Sequence, residues 1–281
     1  MRDNTPLQAG VIVILALLLV SWLAPWIASS EREDAIIPFG PMQLDAERIL
    51  EPPSSTHWLG TDQVGRDLLS RLLHGGRRSL ATGLVATLVA ILLATCFGAM
   101  AGVIGGGVDV VFSRVSDIVY AFPVLVGAIA LLGLSTAGLW MSLPPSVRVG
   151  AVIGLFSWPF LYRFLRGEFR RWFHSEMADA ARAIGCSRWR LALWHLLPAA
   201  ALPALVPASF LAAGSILVEA GLGFLGIGIL PPEPSWGNLI LDGMKNVDLA
   251  WWLVLFPGLF VFTTVLAFHL LGEGLRRRLT P

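Results

Sequence analysis

The residue types that usually carry chemistry are sparse in this chain, and their spacing narrows what they can do. The sole lysine, Lys245, stands in Gly243-Met244-Lys245-Asn246, so there is no G-x-x-x-x-G-K-[ST] loop to cradle a nucleotide's phosphates. Cys96 falls in a long apolar run and Cys186 in an arginine-rich one, which places them on opposite sides of a membrane boundary and makes them poor disulfide partners. No C-x-x-C pair, His/Cys cluster, Ser/His/Asp set or pair of carboxylates stands at usable spacing. A membrane enzyme is therefore the weakest reading, and no metal or cofactor is expected in this chain. Polar chemistry concentrates instead between residues 165 and 198, with Glu219 and His269 isolated at the ends of apolar runs.

The elements that must position these residues are membrane helices. With 56% hydrophobic and 14% charged residues and a mean hydropathy of +0.72, the 281-residue chain lacks the polar surface to close a water-soluble globule. A net charge of +1 gives no nucleic-acid footprint. Apolar runs at 7–27, 80–104, 118–134, 149–165, 199–218 and 250–271 predict an all-α integral membrane protein of about six spans. The first, behind a head carrying Arg2 and Asp3, reads as a permanent anchor rather than a cleaved signal, because everything after it is also membrane protein. The fourth carries Arg163, which must snorkel or face a protein partner.

Residues 29–78 form a polar loop with eight carboxylates and six arginines. Within it, 61–74 has helical spacing of Val64, Leu68, Leu69, Leu72 and Leu73. An amphipathic helix capped by Thr61, lying flat at the interface and stopped by Gly75 and Gly76, is expected. Placing the amino terminus inside puts twelve Lys and Arg on the cytoplasmic side against eight outside, so both termini are expected in the cytoplasm. The resulting organisation is residues 1–78 as anchor and outer loop, 79–275 as transmembrane domain with a cytoplasmic connection at 166–198, and 276–281 as a basic tail.

The connection reads as two short helices. The first covers 175–184 and ends at Gly185, where a left-handed residue can stop it. Ser187 can cap the second, which runs through Trp189, Leu191 and Leu193 toward Pro198. Together they predict a compact knob on the cytoplasmic face.

Within that knob, Asp179-Ala180-Ala181, then Gly185, then His195-Leu196-Leu197-Pro198 resembles the EAA loop of ABC importer permeases, with Asp179 where glutamate is usual and His195 where isoleucine is usual. Two further stretches resemble the second permease of dipeptide, oligopeptide and nickel importers. One is His57-Trp58-Leu59-Gly60-Thr61-Asp62 with Gly65-Arg66-Asp67. The other runs from Glu219 to Gly228, then Pro234-Ser235-Trp236-Gly237-Asn238 and Trp251-Trp252. Asp117, Phe122 and Pro123 belong to the same pattern. The resemblance implies a type I permease fold in the bacterial inner membrane. It implies partners too: a second homologous permease, two ATP-binding subunits that hold ATP and magnesium, and a periplasmic solute-binding protein. It also implies that Asp179, Ala180, Ala181, Gly185, His195, Leu197 and Pro198 couple the membrane helices to the ATPases.

Glu219, Trp236 and Asn238 are candidates for a periplasmic gate or binding-protein contact, although Glu219 equally fits an interfacial charge bonded to backbone. The Gly-rich segment 221–230 is too short to span and is expected to re-enter the lipid edge or form a flap. An ion-coupled carrier or a passive channel remains the alternative function. The first of these usually needs ionisable groups at mid-membrane, and none stands within the runs of spans two, three or five.

Overall fold

The computed structural model describes residues 5–32, 34–134 and 138–279; the head with Arg2 and Asp3 and the last two residues of the basic tail lie outside them. Among the described residues the regular structure is helical, with only two isolated β-bridges, Ala28 to Ile37 and Thr61 to Asp67, in the irregular stretch 28–67. The helices are α1 (Thr5–Trp22), α2 (Ala24–Ile27), α3 (Leu68–Ile104), α4 (Gly106–Ala121), α5 (Val124–Leu134), α6 (Pro145–Phe173), α7 (Glu176–Ala183), α8 (Arg188–Leu191), α9 (Leu197–Phe224), α10 (Trp236–Met244) and α11 (Trp252–Leu279). By length and apolar composition α1, α3, α9 with the turns before it, and α11 can each cross a bilayer. The pair α4 and α5 makes a fifth crossing if taken as one broken span. The remaining expected crossing lies within α6, whose 29 residues reach about 43 Å but whose arginines dilute its hydropathy.

One expectation changes. The amphipathic helix at 61–74 does not lie apart: Asp67, not Thr61, is the N-cap, its carboxylate accepting from the Ser70 N–H at 2.7 Å. From there α3 runs unbroken through Gly75 and Gly76 and past residue 78, for about 55 Å in all. The two glycines do not stop it because they are needed for approach: Cβ atoms there would stand 3.3 Å from the Ser235 Cα and 2.9 Å from the Trp236 ring. The third span is bent. It breaks at Phe122-Pro123 and turns by 88° between α4 and α5, as the missing proline N–H and ring clash dictate. The segment 221–230 begins as the last turn of α9 and then turns back on it, the Ile227 and Gly228 N–H groups both donating to the Leu222 carbonyl.

Small residues every fourth position bind α3 to α6. Cβ atoms on Gly150 and Gly154 would meet the Thr82 and Ala86 carbonyl oxygens at 2.7 and 2.5 Å, and those on Gly98 and Gly102 would meet Leu165–Arg166 and Phe169–Arg170. The contacts advance together along both chains, so the two helices run in the same direction. Backbones can approach this closely only without side chains, which is how helices gain dispersion energy where lipid removes the hydrophobic driving force. Gly154→Leu should therefore cost ~1–3 kcal/mol through overpacking. A lower SDS midpoint in mixed-micelle unfolding is expected; an unchanged one would contradict this packing.

At the other side of the bundle, Cβ atoms on Gly10 and Gly274 of α1 and α11 would meet Ala267 and Leu7 at 2.7 and 2.5 Å, so the start of α1 and the end of α11 share one side.

The outer loop is tied to the far end of the chain. Asp62 accepts from the Val64 and Arg66 N–H groups at 3.0 Å and from Arg66 Nε at 2.7 Å, and lies 3.6 Å from Arg71 Nε. Arg71 is fully buried and reaches Asp242 at 4.0 Å. Asn246 donates to Gln63 and the Trp252 indole to the Thr61 carbonyl, each at 3.3 Å. His57 Nδ1 lies 2.9 Å from Asp67, and both are buried. Burying so many charges is tolerable only because each meets an opposite charge or a hydrogen-bond partner.

Candidate functional site

The knob between α6 and α9 forms from local signals. The Ser175 hydroxyl accepts from the Ala178 N–H and caps α7; the Ser187 hydroxyl accepts from the Arg190 N–H and caps α8. Between them Gly185 adopts φ +85°, and the Gly185 and Cys186 N–H groups donate to the carbonyls of Arg182 and Ala181 at 2.9 and 3.0 Å. This double bond closes the helix end as a Schellman motif, which requires a left-handed residue at Gly185.

Arg182 locks α7 onto the end of α6: it pairs with Asp179 at 2.6 Å, donates to the Phe173 carbonyl, and lays its guanidinium 4.2 Å from the Phe173 ring centre. Ala178 and Ala181 face inward and join Phe169, Leu191 and Leu196 in one core. Asp179 and Ala180 face outward. Ala180 and Ala181 therefore do different things, one presenting a small surface and the other packing the knob against the bundle.

The outward surface is apolar in a place expected to meet water. Ile184 is 87% exposed, and Met177, Trp189, Leu193 and Trp194 are exposed beside the acidic Asp179. Such a patch at the end of a rigid bundle is what a partner protein covers. His195 is also exposed. Leu197 is half-buried and Pro198 begins α9. Between α8 and α9 residues Ala192–Leu196 form one π turn, with the Leu197 N–H donating to the Ala192 carbonyl five residues back. Pro198 has no N–H, so the ordinary ladder fails there and the wider turn carries the helix through. The knob thus continues into α9 without a loop.

The outer candidates lie inside the protein rather than on it. Glu219, Trp236 and Asn238 are all buried. The Glu219 carboxylate is wholly buried beside the hydroxyls of Ser79 and Ser235. It therefore does not sit at the end of α9 as an interfacial charge. Trp236 donates from its backbone to Ser79 and from its indole to the Leu72 carbonyl, each at 3.1 Å. Asn238 completes a capping box with Ser235 and donates to the carbonyls of Ile229 and Glu233 at 3.0 and 2.7 Å. In this conformation none of the three can touch a docked protein.

Two features went unseen in the sequence. One is a cavity of about 510 Å³ lined by Tyr120, Phe122, Phe156, Phe160 and Phe210 with Ser157. The other is a ladder joining α4 to α6: Arg166 makes a two-pronged pair with Asp109, Ser113 lies 3.3 Å from the Tyr162 hydroxyl, and Arg163 donates to Asp117 at 3.0 Å. Arg163 therefore faces a carboxylate of its own chain, and α4 of the third span carries ionisable groups. The spacing of Asp109, Ser113 and Asp117, one turn apart on a single helix face, is the signal that reveals the ladder. Cys96 and Cys186 are free, and among the described residues no cluster of His, Cys, Asp and Glu could hold a metal ion.

A parallel pair of close-packed helices, a broken third span and an exposed knob grown from the helix before it describe a multi-span membrane protein. Residues 94–281 match the family model described as binding-protein-dependent transport system inner membrane component. The chain is 35% identical to the probable D,D-dipeptide transport system permease protein DdpC of Escherichia coli, over 100% of this chain and 89% of that one. It is 34% identical to the glutathione transport system permease protein GsiD of Pectobacterium atrosepticum, over 100% and 88%. It is 33% identical to the dipeptide transport system permease protein DppC of Alkalihalophilus pseudofirmus, over 100% and 87%. Among solved structures, an inward-facing MetNI methionine ABC transporter chain superposes with a TM-score of 0.57 at 17% identity, covering 76% of this chain and 98% of that chain, a likeness of fold.

The chain belongs to the binding-protein-dependent transport system inner membrane component family. It is an inner-membrane permease of an ABC importer, a subunit without an ATPase site of its own.

Proposed function

We propose that this chain translocates short peptides delivered by a periplasmic solute-binding protein, paired with a second homologous permease and driven by two ATP-binding subunits that hold ATP and magnesium. The observation that carries this reading is the knob: an apolar and acidic surface exposed at α7, locked by Arg182 to α6 and continuous with α9. The dipeptide and glutathione transport named for its relatives supports the substrate class.

In this reading Asp179, Ala180 and Ile184 sit in a groove of an ATPase subunit, with Gly185 fixing their presentation and His195, Leu197 and Pro198 passing the movement into α9. Closure of the ATPases rotates the helices as rigid bodies. Glu219, Trp236 and Asn238 act from the interior as the block on which the outer gate turns.

Ile184→Asp tests it. Burying Ile184 in a groove yields ~1.5–3 kcal/mol, and an aspartate there adds a desolvation cost. Purification of the complex in mild detergent should recover at least about tenfold less ATPase per permease, with ATP-driven dipeptide uptake lost and the membrane level of this chain unchanged. Full recovery of the ATPases with the variant would remove the knob as the docking surface. Solute uptake driven by a proton or sodium gradient in the purified single chain would favour the ion-coupled carrier instead.

A further inference from the structure

We propose that Asp117 and Arg163 bind the charged ends of a short zwitterionic peptide whose apolar side chains occupy the aromatic cavity; this rests on the peptide-importer reading above. Asp117 stands one helical turn before Tyr120 in α4, and Arg163 one turn after Phe160 in α6, so the pair lies at the rim of the cavity those two residues line. The Arg163 guanidinium lies 4.3 Å from the centre of the Tyr120 ring.

The exposure of the pair sets it apart. Asp117 and Arg163 side chains are 54% and 49% exposed, whereas Asp109 below them is 15% exposed. Arg163 lies ten residues, about 15 Å, before the C-terminal end of α6, near the end of the apolar run 149–165. A half-exposed ion pair is costly against hydrocarbon and belongs on a water-filled or protein-covered face. In the proposed assignment the cavity they adjoin faces the transport path rather than lipid. The pair is also structurally redundant, because Asp109–Arg166 and Ser113–Tyr162 already hold α4 to α6.

The chemistry matches one class of solute. A single hydrogen bond joins the two side chains, leaving the guanidinium with further N–H donors suited to a carboxylate. An entering zwitterion exchanges partners: its ammonium takes Asp117 and its carboxylate takes Arg163, so one ion pair gives way to two and neither side chain is left without a partner. The termini of a dipeptide lie roughly two residue lengths apart, ~7 Å at most, a gap that rotation of both long side chains can open. A cavity of about 510 Å³ is within the ~300–1,000 Å³ of small-molecule sites. Its five aromatic rings favour phenylalanine-like side chains.

The test is equilibrium binding of L-phenylalanyl-L-phenylalanine, its N-acetyl derivative and its C-terminal amide to the assembled permease–ATPase complex in nanodiscs, without the binding protein. The parent dipeptide is expected to bind at least about tenfold more tightly than either blocked form, a difference of ~1.4 kcal/mol. Arg163→Gln should bring the parent down to the affinity of the amide while leaving the amide unchanged, and Asp117→Asn should do the same with respect to the N-acetyl form. Unchanged binding of the blocked form in each variant also shows that the variant is folded. Equal binding of all three peptides to the wild type, an equal loss of all three in either variant, or no dipeptide binding by a complex that assembles and imports, would overturn the assignment. A chain that never assembles with ATPases would instead overturn the importer reading.

Discussion

Gly185→Val is expected to abolish ATP-driven uptake while leaving the chain inserted and its spans packed. A Cβ at this position would meet no heavy atom within 4 Å, so the obstacle is purely conformational. At φ +85° a β-branched residue is strained by ~2 kcal/mol or more, enough to depopulate the native turn well over tenfold. The two N–H bonds that close α7 would then be lost, and Ile184 and Ala180 would no longer face the ATPase as they do now. Gly185→Asn is the control, since asparagine tolerates the left-handed region, and it should retain most of the uptake. Equal uptake by wild type, valine and asparagine variants would show that the turn plays no part in coupling; equal loss in both variants would point to a need for glycine other than its φ.

The largest loss of stability is expected from Trp236→Ala. The side chain is wholly buried, fills the space left by Gly76, packs 5.9 Å from the Phe260 ring centre, and ties α10 to α3 through its indole N–H. Removing it leaves a cavity among α3, α9, α10 and α11 and should cost ~3–5 kcal/mol. Unfolding in mixed SDS micelles should shift to clearly lower SDS. Trp236→Phe should recover most of the packing while losing the hydrogen bond, a cost of ~1 kcal/mol. An alanine variant as stable as wild type would mean that this residue does not anchor the outer layer.

What could be read from the sequence was what short stretches determine alone. Ser175, Gly185 and Ser187 set the start, stop and restart of the knob through bonds spanning three to five residues, and the structure places all three in those roles. Long apolar runs fixed the membrane helices for the same reason. The failures share a cause of the opposite kind. Gly75 and Gly76 look like a stop, yet Ser235 and Trp236, far along the chain, make them a contact surface. Glu219 looks like an interfacial charge by its place at the end of an apolar run, and only the packing of α3 and the 235 turn over it encloses it. Arg163 announced that it needed company, and the identity of that company depended on a bend at Pro123 and on which face of α4 meets α6.

The tie between the outer loop and the far end of the chain sets an order of events during synthesis. Arg71 enters the membrane region with α3, and Asp62 is already made, but Asp242 and the Trp252 indole that donates to the Thr61 carbonyl arrive only with the last third of the chain. Until then a buried arginine is undercompensated and the outer loop has no lid. A chain interrupted before α11 should therefore hold its loop open to periplasmic protease, and closure of that loop would report that the final helix has inserted.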